Sequence, residues 1–209
     1  MEKNRYTISE DGICIISDGV TEIEDDAFNN CTSLKSVVIP DSVTKIGMSA
    51  FAECTSLESV VIPNSVGMIG VGAFNGCSSL RSVVIPGSVR EICLAAFHRC
   101  TSLKSVDIQD GVMVIDGAFL SCTSLESVII PPSVRMINNV TFDDCPALKT
   151  IYLRINNLDN VDIRNGAFGA ITKSLCTLYV PANCLQACRQ HEELGQFKNI
   201  KIEKDDSIY

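Results

Sequence analysis

Residues 31–53 read CTSLKSVVIPDSVTKIGMSAFAE and residues 54–76 read CTSLESVVIPNSVGMIGVGAFNG, and fifteen of these 23 aligned positions are identical. The frame continues as CSSLRSVVIPGSVREICLAAFHR from 77, CTSLKSVDIQDGVMVIDGAFLS from 100 and CTSLESVIIPPSVRMINNVTFDD from 122, then as a degenerate unit opening CPALKTIYL at 145. Cysteine marks the period at Cys31, Cys54, Cys77, Cys100, Cys122 and Cys145, in steps of 23, 23, 23, 22 and 23 residues. Phenylalanine marks it at Phe28, Phe51, Phe74, Phe97, Phe119, Phe142 and Phe168; of the eight, only Phe197 lies outside. Self-similarity at a fixed period of this size is the signature of stacked supersecondary units.

Within a unit, Leu57, Val60 and Ile62 stand in an L-x-x-V-x-I run whose last two members are two apart, as one face of a strand requires. Proline follows at Pro40, Pro63, Pro86 and Pro131 and ends the strand, because it has no N–H for a ladder. A second apolar pair such as Val66 and Ile69 comes next, then a small-residue turn into A-F-x-x-C. Phe51 and Cys54 are three apart, so one helical or 3₁₀ turn points both inward. The unit is thus strand, corner, short extended segment and helical turn. No unit buries its apolar side alone; stacked units share one core.

The recurring C-x-S-L-x-S-V-x-I-P-x-S-V-x-x-I-x-x-x-A-F, from Phe28 to about Phe168, closely resembles the BspA-like (Treponema-type) class of leucine-rich repeats. The tail CTLYVPANCLQACRQHEELGQFKNIKIE is similar to that family's terminal cap, with Cys188 and Leu194 where the family favours aromatics. The expected fold is an α/β repeat, a curved leucine-rich-repeat solenoid forming one domain over residues 1–209. Residues 1–18 are expected to be an N-terminal cap, 19–172 the repeats and 173–209 the C-terminal cap. Lys198, Lys201, Glu203, Lys204, Asp205 and Asp206 give that end the polar surface a solenoid needs against end-to-end stacking. The longer step from Leu153 to Val180, four residues beyond the regular one, is read as adaptation to the cap.

In leucine-rich repeats the strand face lines the concave side, so the outward columns become the candidate surface. One is a mixed-sign ladder of Lys35, Glu58, Arg81, Lys104, Glu126 and Lys149, expected to pair across neighbouring strands. Another holds Ser36, Ser59, Ser82, Ser105, Ser127 and Thr150. The third runs Val38, Val61, Val84, Asp107, Ile129, Tyr152 and Tyr179. An outward apolar stripe rimmed by serine and charge has the composition of a protein-binding patch. Equally, β-branched residues favour strands wherever they point. The candidate partner-binding residues are Val61, Val84, Asp107, Ile129 and Tyr152.

Charge and motif content exclude several classes. The net charge of −8 and pI near 4.7 argue against nucleic-acid binding, which needs a basic stripe. Apolar runs such as Val128-Ile129-Ile130 are far shorter than the roughly 18 residues of a membrane span. G-x-S-x-G, Walker and H-E-x-x-H motifs are absent, and no cofactor or enzymatic activity is expected. His98 is expected to be a solvated turn residue. Cys184, Cys188 and His191 share a helix face at i, i+4 and i+7, but no fourth zinc ligand is evident. That face, with Leu185 and Ala187, is expected to pack on the last coil. The periodic cysteines are expected to be a reduced, inward spine, since equivalent Cβ vectors run parallel. The acid pairs Asp25-Asp26, Asp143-Asp144 and Asp205-Asp206 and the acceptor patterns at Asn30 and Asn139 carry no specific assignment.

The resemblance implies a non-enzymatic adhesion module, at the cell surface or secreted, for a protein or glycan ligand. No signal peptide opens the chain, and the many thiols suit a reducing compartment. The alternative is therefore a cytoplasmic scaffold or a structural repeat domain without a dedicated ligand.

Overall fold

Each turn of the chain lays down two parallel strands, one long and one short. The computed structural model describes residues 5–203, so Lys204, Asp205 and Asp206 lie outside the described residues. The long strands include Ile13–Ile16, Ser36–Val38, Ser82–Ile85, Ser105–Ile108, Ser127–Ile130, Thr150–Leu153 and Thr177–Val180. Tyr6–Ile8 closes the N-terminal edge antiparallel to Ile13–Ile16, and Asn199–Ile202 closes the other edge in parallel. The long-strand surface divides into a four-stranded and a six-stranded sheet, the boundary lying between Ser59–Val60 and Ser82–Ile85. The parallel pairing begins at Ile13, inside the segment expected to be the cap.

The short extended segment of each unit forms a sheet of its own. Seven two-residue strands, from Glu22–Ile23 to Asp162–Ile163, pair in parallel without interruption. Ile23, Ile46, Ile69, Ile92, Ile115 and Ile137 point inward from it at 0% exposure, facing the Val and Ile of the long strands across one continuous core. The third side of each coil is a run of i→i+3 turns. Ala52 N–H donates to Ser49, Cys54 N–H to Phe51 and Leu57 N–H to Cys54. Two left-handed residues bend each of the six runs from Asp26 to Asp144, for example Ser49 (φ 51°) and Glu53 (φ 57°), and the last coil replaces the second with the helix Ala170–Leu175.

Three periodic side chains tie coil to coil. The phenylalanine rings stack in a ladder, with centroids 5.1 Å apart for Phe51–Phe74 and 5.2 Å for Phe74–Phe97. Tyr6 caps this ladder edge-on at Phe28 (4.8 Å) and Phe197 caps it edge-on at Phe168 (5.3 Å). That gives a place to the one phenylalanine outside the period. The serine of the P-x-S-V motif donates to the carbonyl one coil back, as Ser65 does to Val43 and Ser88 to Val66, both at 2.7 Å. The cysteine thiols donate to the phenylalanine carbonyl of the coil behind: Cys54 to Phe28 and Cys77 to Phe51 at 3.1 Å, Cys100 to Phe74 at 3.2 Å.

Irregular units are repaired by side chains the consensus does not contain. The unit from 100 is one residue short, and Thr141 compensates from the next coil. Its buried hydroxyl accepts from Gly117 N–H (3.1 Å) and donates to the Asn138 carbonyl (2.7 Å). The extra residues after Leu153 pack toward the cap, where Asn183 donates to the Asn156 carbonyl and Arg154 chelates Glu203. The cap itself is pinned by Glu193, a fully buried carboxylate. It accepts from the backbone N–H of Gly166 (3.1 Å) and Phe168 (3.0 Å) and pairs with Lys173 Nζ at 3.3 Å.

Candidate binding surface

Strand alternation sends Val37, Val60, Val83, Val106 and Val128 into the core and leaves the next residue of each strand facing solvent. The register places Asp107 beside Val84 and Ile129, Ile129 beside Tyr152, and Tyr152 beside Tyr179. Val38, Val61 and Val84 are 54%, 78% and 47% exposed; Asp107 is exposed, while Ile129 and Tyr152 are half-buried. Tyr152 and Tyr179 stack with centroids 5.0 Å apart, presenting ring edges rather than faces. The stripe therefore has two characters. Its N-terminal half is open and aliphatic; beyond Asp107 it passes through Ile129 to the two tyrosines and is more enclosed.

The aliphatic half extends further than the repeat consensus indicates. Ile15 pairs with Val38 and is 54% exposed, and Ile13 stands beside Ser36. The 23-residue spacing from Ile15 to Val38 carried this signal, hidden because I-C-I-I lacks the proline and serines of later units.

The charged column does not pair throughout. Arg81 meets Glu58 at 3.2 Å and Lys149 meets Glu126 at 3.5 Å. Lys35 and Lys104 have no ion pair among the described residues, correcting the expected Lys35–Glu58 contact. At the opposite ends of the strands, Asp18, Asp41 and Asp110 are exposed. Over this half the stripe thus runs between a cationic and an anionic edge.

A second exposed apolar column lies beyond the short-strand sheet and was not read from the sequence. Met48, Val71 and Leu94 occupy equivalent positions on three coils and are 52%, 41% and 48% exposed. The one-residue deletion before Gly117 ends it. Its residue types vary enough to pass for turn filler.

The reactive side chains are held for structure. Burial raises the Cys54, Cys145 and Cys176 thiols to about 12 and Cys14 to about 11. All eleven cysteines are free thiols. Cys184 and Cys188 are buried, whereas His191 is half-buried and accepts with Nδ1 from the N–H of Glu193 (3.2 Å) and Leu194 (3.4 Å). No group of three or more His, Cys, Asp or Glu side chains suited to a metal occurs among the described residues. Ala187 is exposed, contrary to the expected helix face: the helix Leu185–Gln190 turns only Cys188 and part of Leu185 inward. His98 is half-buried rather than fully solvated; burial, and then Arg99, lower its pKa. No helix among the described residues is long and apolar enough to cross a membrane.

The family model described as "BspA type Leucine rich repeat region" matches residues 12–117 and 114–204, with six copies. No curated protein matches the chain significantly. Among solved structures, the T. pallidum leucine-rich repeat protein is 26% identical, with 88% of this chain and 91% of that one covered and a TM-score of 0.58. A leucine-rich repeat protein from Eubacterium ventriosum is 24% identical at a TM-score of 0.68, over 77% of this chain and 43% of its own length. The pneumococcal vaccine antigen PcpA is 19% identical at a TM-score of 0.53, over 93% of this chain and 42% of its own. These parallel coils, with their phenylalanine and cysteine ladders, place the chain in the BspA-type leucine-rich-repeat family.

Proposed function

We propose that the protein is a non-enzymatic binding module whose long-strand face docks a macromolecular partner, a protein or a glycan, in adhesion. The observation that carries the reading is the solvent-facing aliphatic run of Val38, Val61 and Val84, which continues across the break between the four- and six-stranded sheets. Filler residues need not be apolar where they point to water. Exposed contiguous apolar surface on a rigid scaffold marks an interaction site, and a preformed sheet loses little conformational entropy on binding. Val61 and Val84 form the centre of the contact, with Asp107, Ile129 and Tyr152 continuing it.

A solved structure of the same fold, the pneumococcal vaccine antigen PcpA, supports a surface or secreted location. A cytoplasmic scaffold is the second reading, favoured by thiols that serve as reduced hydrogen-bond donors between coils. Screening the folded protein against extracellular-matrix proteins and glycans tests the adhesion reading. Saturable binding to a panel member supports it, and no binding to any of them shifts the assignment to the scaffold.

A further inference from the structure

Resting on the reading that the long-strand face is the binding surface, we infer that its occupant is an amphipathic α-helix lying along the solenoid axis over Ile15, Val38, Val61 and Val84. The argument is one of spacing. Neighbouring strands lie about 4.8 Å apart, so the stripe offers an apolar group at about that interval; the last step crosses the break between the sheets, where the Phe51 and Phe74 rings still stack at 5.1 Å. A helix returns a side chain to one face every turn, about 5.4 Å. An extended strand returns one every second residue, about 6.8 Å. Over the three steps from Ile15 to Val84 the helix drifts by about 2 Å and the extended segment by about 6 Å, more than a full coil. Apolar residues at i, i+4, i+7 and i+11 therefore follow the stripe, and alternating ones do not.

Backbone pairing with the partner is unavailable over Ile15 and Val38. The stripe lies on the face of the sheet rather than along an edge, and the Ile13–Ile16 strand is already bonded to Tyr6–Ile8 on one side and Ser36–Val38 on the other. Recognition falls to side chains. The two edges then set the partner's chemistry: unpaired Lys35 and Lys104 ask for acidic residues on one flank of the helix, and exposed Asp18 and Asp41 ask for basic residues on the other. Asp107 ends the aliphatic run and faces a basic residue at the end of the helix seam.

Fluorescence anisotropy with two labelled peptides of about 18 residues tests the inference. One carries the apolar seam at helical spacing with an acidic and a basic flank; the other has the same composition rearranged to strict alternation. The helical peptide is expected to bind the parent at least about tenfold more tightly than the alternating one, a difference of about 1.4 kcal/mol. That preference is expected to disappear in the Val61→Glu, Val84→Glu variant. Lys35→Glu with Lys104→Glu is expected to transfer preference to a third peptide, the helical one with its acidic flank made basic. Equal binding of both peptides, each lost in the valine variant, overturns the helix while leaving the face. Undiminished binding of the helical peptide to the valine variant overturns both. Failure of the helical peptide to bind the parent overturns the helix.

Discussion

Replacing Phe74 by alanine removes a rung from the middle of the aromatic ladder. Its ring is 0% exposed and stacked on Phe51 at 5.1 Å and Phe97 at 5.2 Å, with interplanar angles of 6° and 3°. A buried Phe→Ala change costs about 3–5 kcal/mol through lost transfer energy and the cavity left behind. Two stacked contacts at about 0.5–1.5 kcal/mol each fall within that total. The lost ring borders both neighbouring coils, and stability in a solenoid is shared between adjacent units, so collapse around the cavity is limited. Urea unfolding of the parent, Phe74→Ala and Phe74→Leu measures the effect. Leucine retains much of the apolar volume and separates the stacking contribution from the cavity. The expected order is parent, then leucine lower by about 1–3 kcal/mol, then alanine by about 3–5 kcal/mol. A loss below about 1 kcal/mol for alanine would refute the inward ladder.

Other perturbations probe the features that depart from the repeat. Thr141→Val is nearly isosteric but strands the Gly117 N–H, and denaturation is expected to show a loss of about 1–3 kcal/mol. Glu193→Ala leaves Lys173, whose side chain is 12% exposed, without its carboxylate and with only Gln196 Oε1 to accept from it, and frees two backbone donors; a loss of about 3–5 kcal/mol is expected, with amide exchange increasing first in residues 166–203. Val140 holds a β-branched side chain at φ 53°, so Val140→Gly is expected to stabilise by up to about 1 kcal/mol in the same assay. The thiols of Cys54, Cys145 and Cys176 ionise near 9 when unfolded but near 12 when folded. The folded state holds more protons between these values, so the thiols' contribution to unfolding free energy is expected to be constant below pH 9 and to fall above it. Each thiol contributes a slope of up to about 1.4 kcal/mol per pH unit, and a flat profile from pH 9 to 11 would contradict this.

The regular coil was legible because its information repeats. Phe74, Cys77, Leu80, Val83 and Ile85 each recur with a period that leaves one inward register, and all five are buried. The second sheet was harder to see. Two-residue strands such as Met68–Ile69 carry no alternation of their own and become a sheet only through stacking. Thr141 and Glu193 were invisible for the opposite reason: each occurs once and answers a local defect, a missing residue in one case and an open solenoid end in the other. Ile15 is hard to recognise because the consensus fades there, although its spacing to Val38 is regular. Ala187 faces solvent because a helix this short settles on one or two contacts rather than a full apolar stripe. On the binding surface, the sequence separates inward from outward residues. It does not show which outward charges pair, since that depends on side-chain reach across coils.

The most direct test of the central claim compares equilibrium binding of one panel ligand to three folded proteins: the parent, Val61→Glu with Val84→Glu, and Met48→Glu with Leu94→Glu. All four altered residues are exposed, so both variants are expected to retain the parent's unfolding midpoint. The account predicts at least about a tenfold loss for the valine variant and unchanged binding for the other. Binding that survives the valine changes and is lost with Met48 and Leu94 would move the site to the opposite face and contradict it.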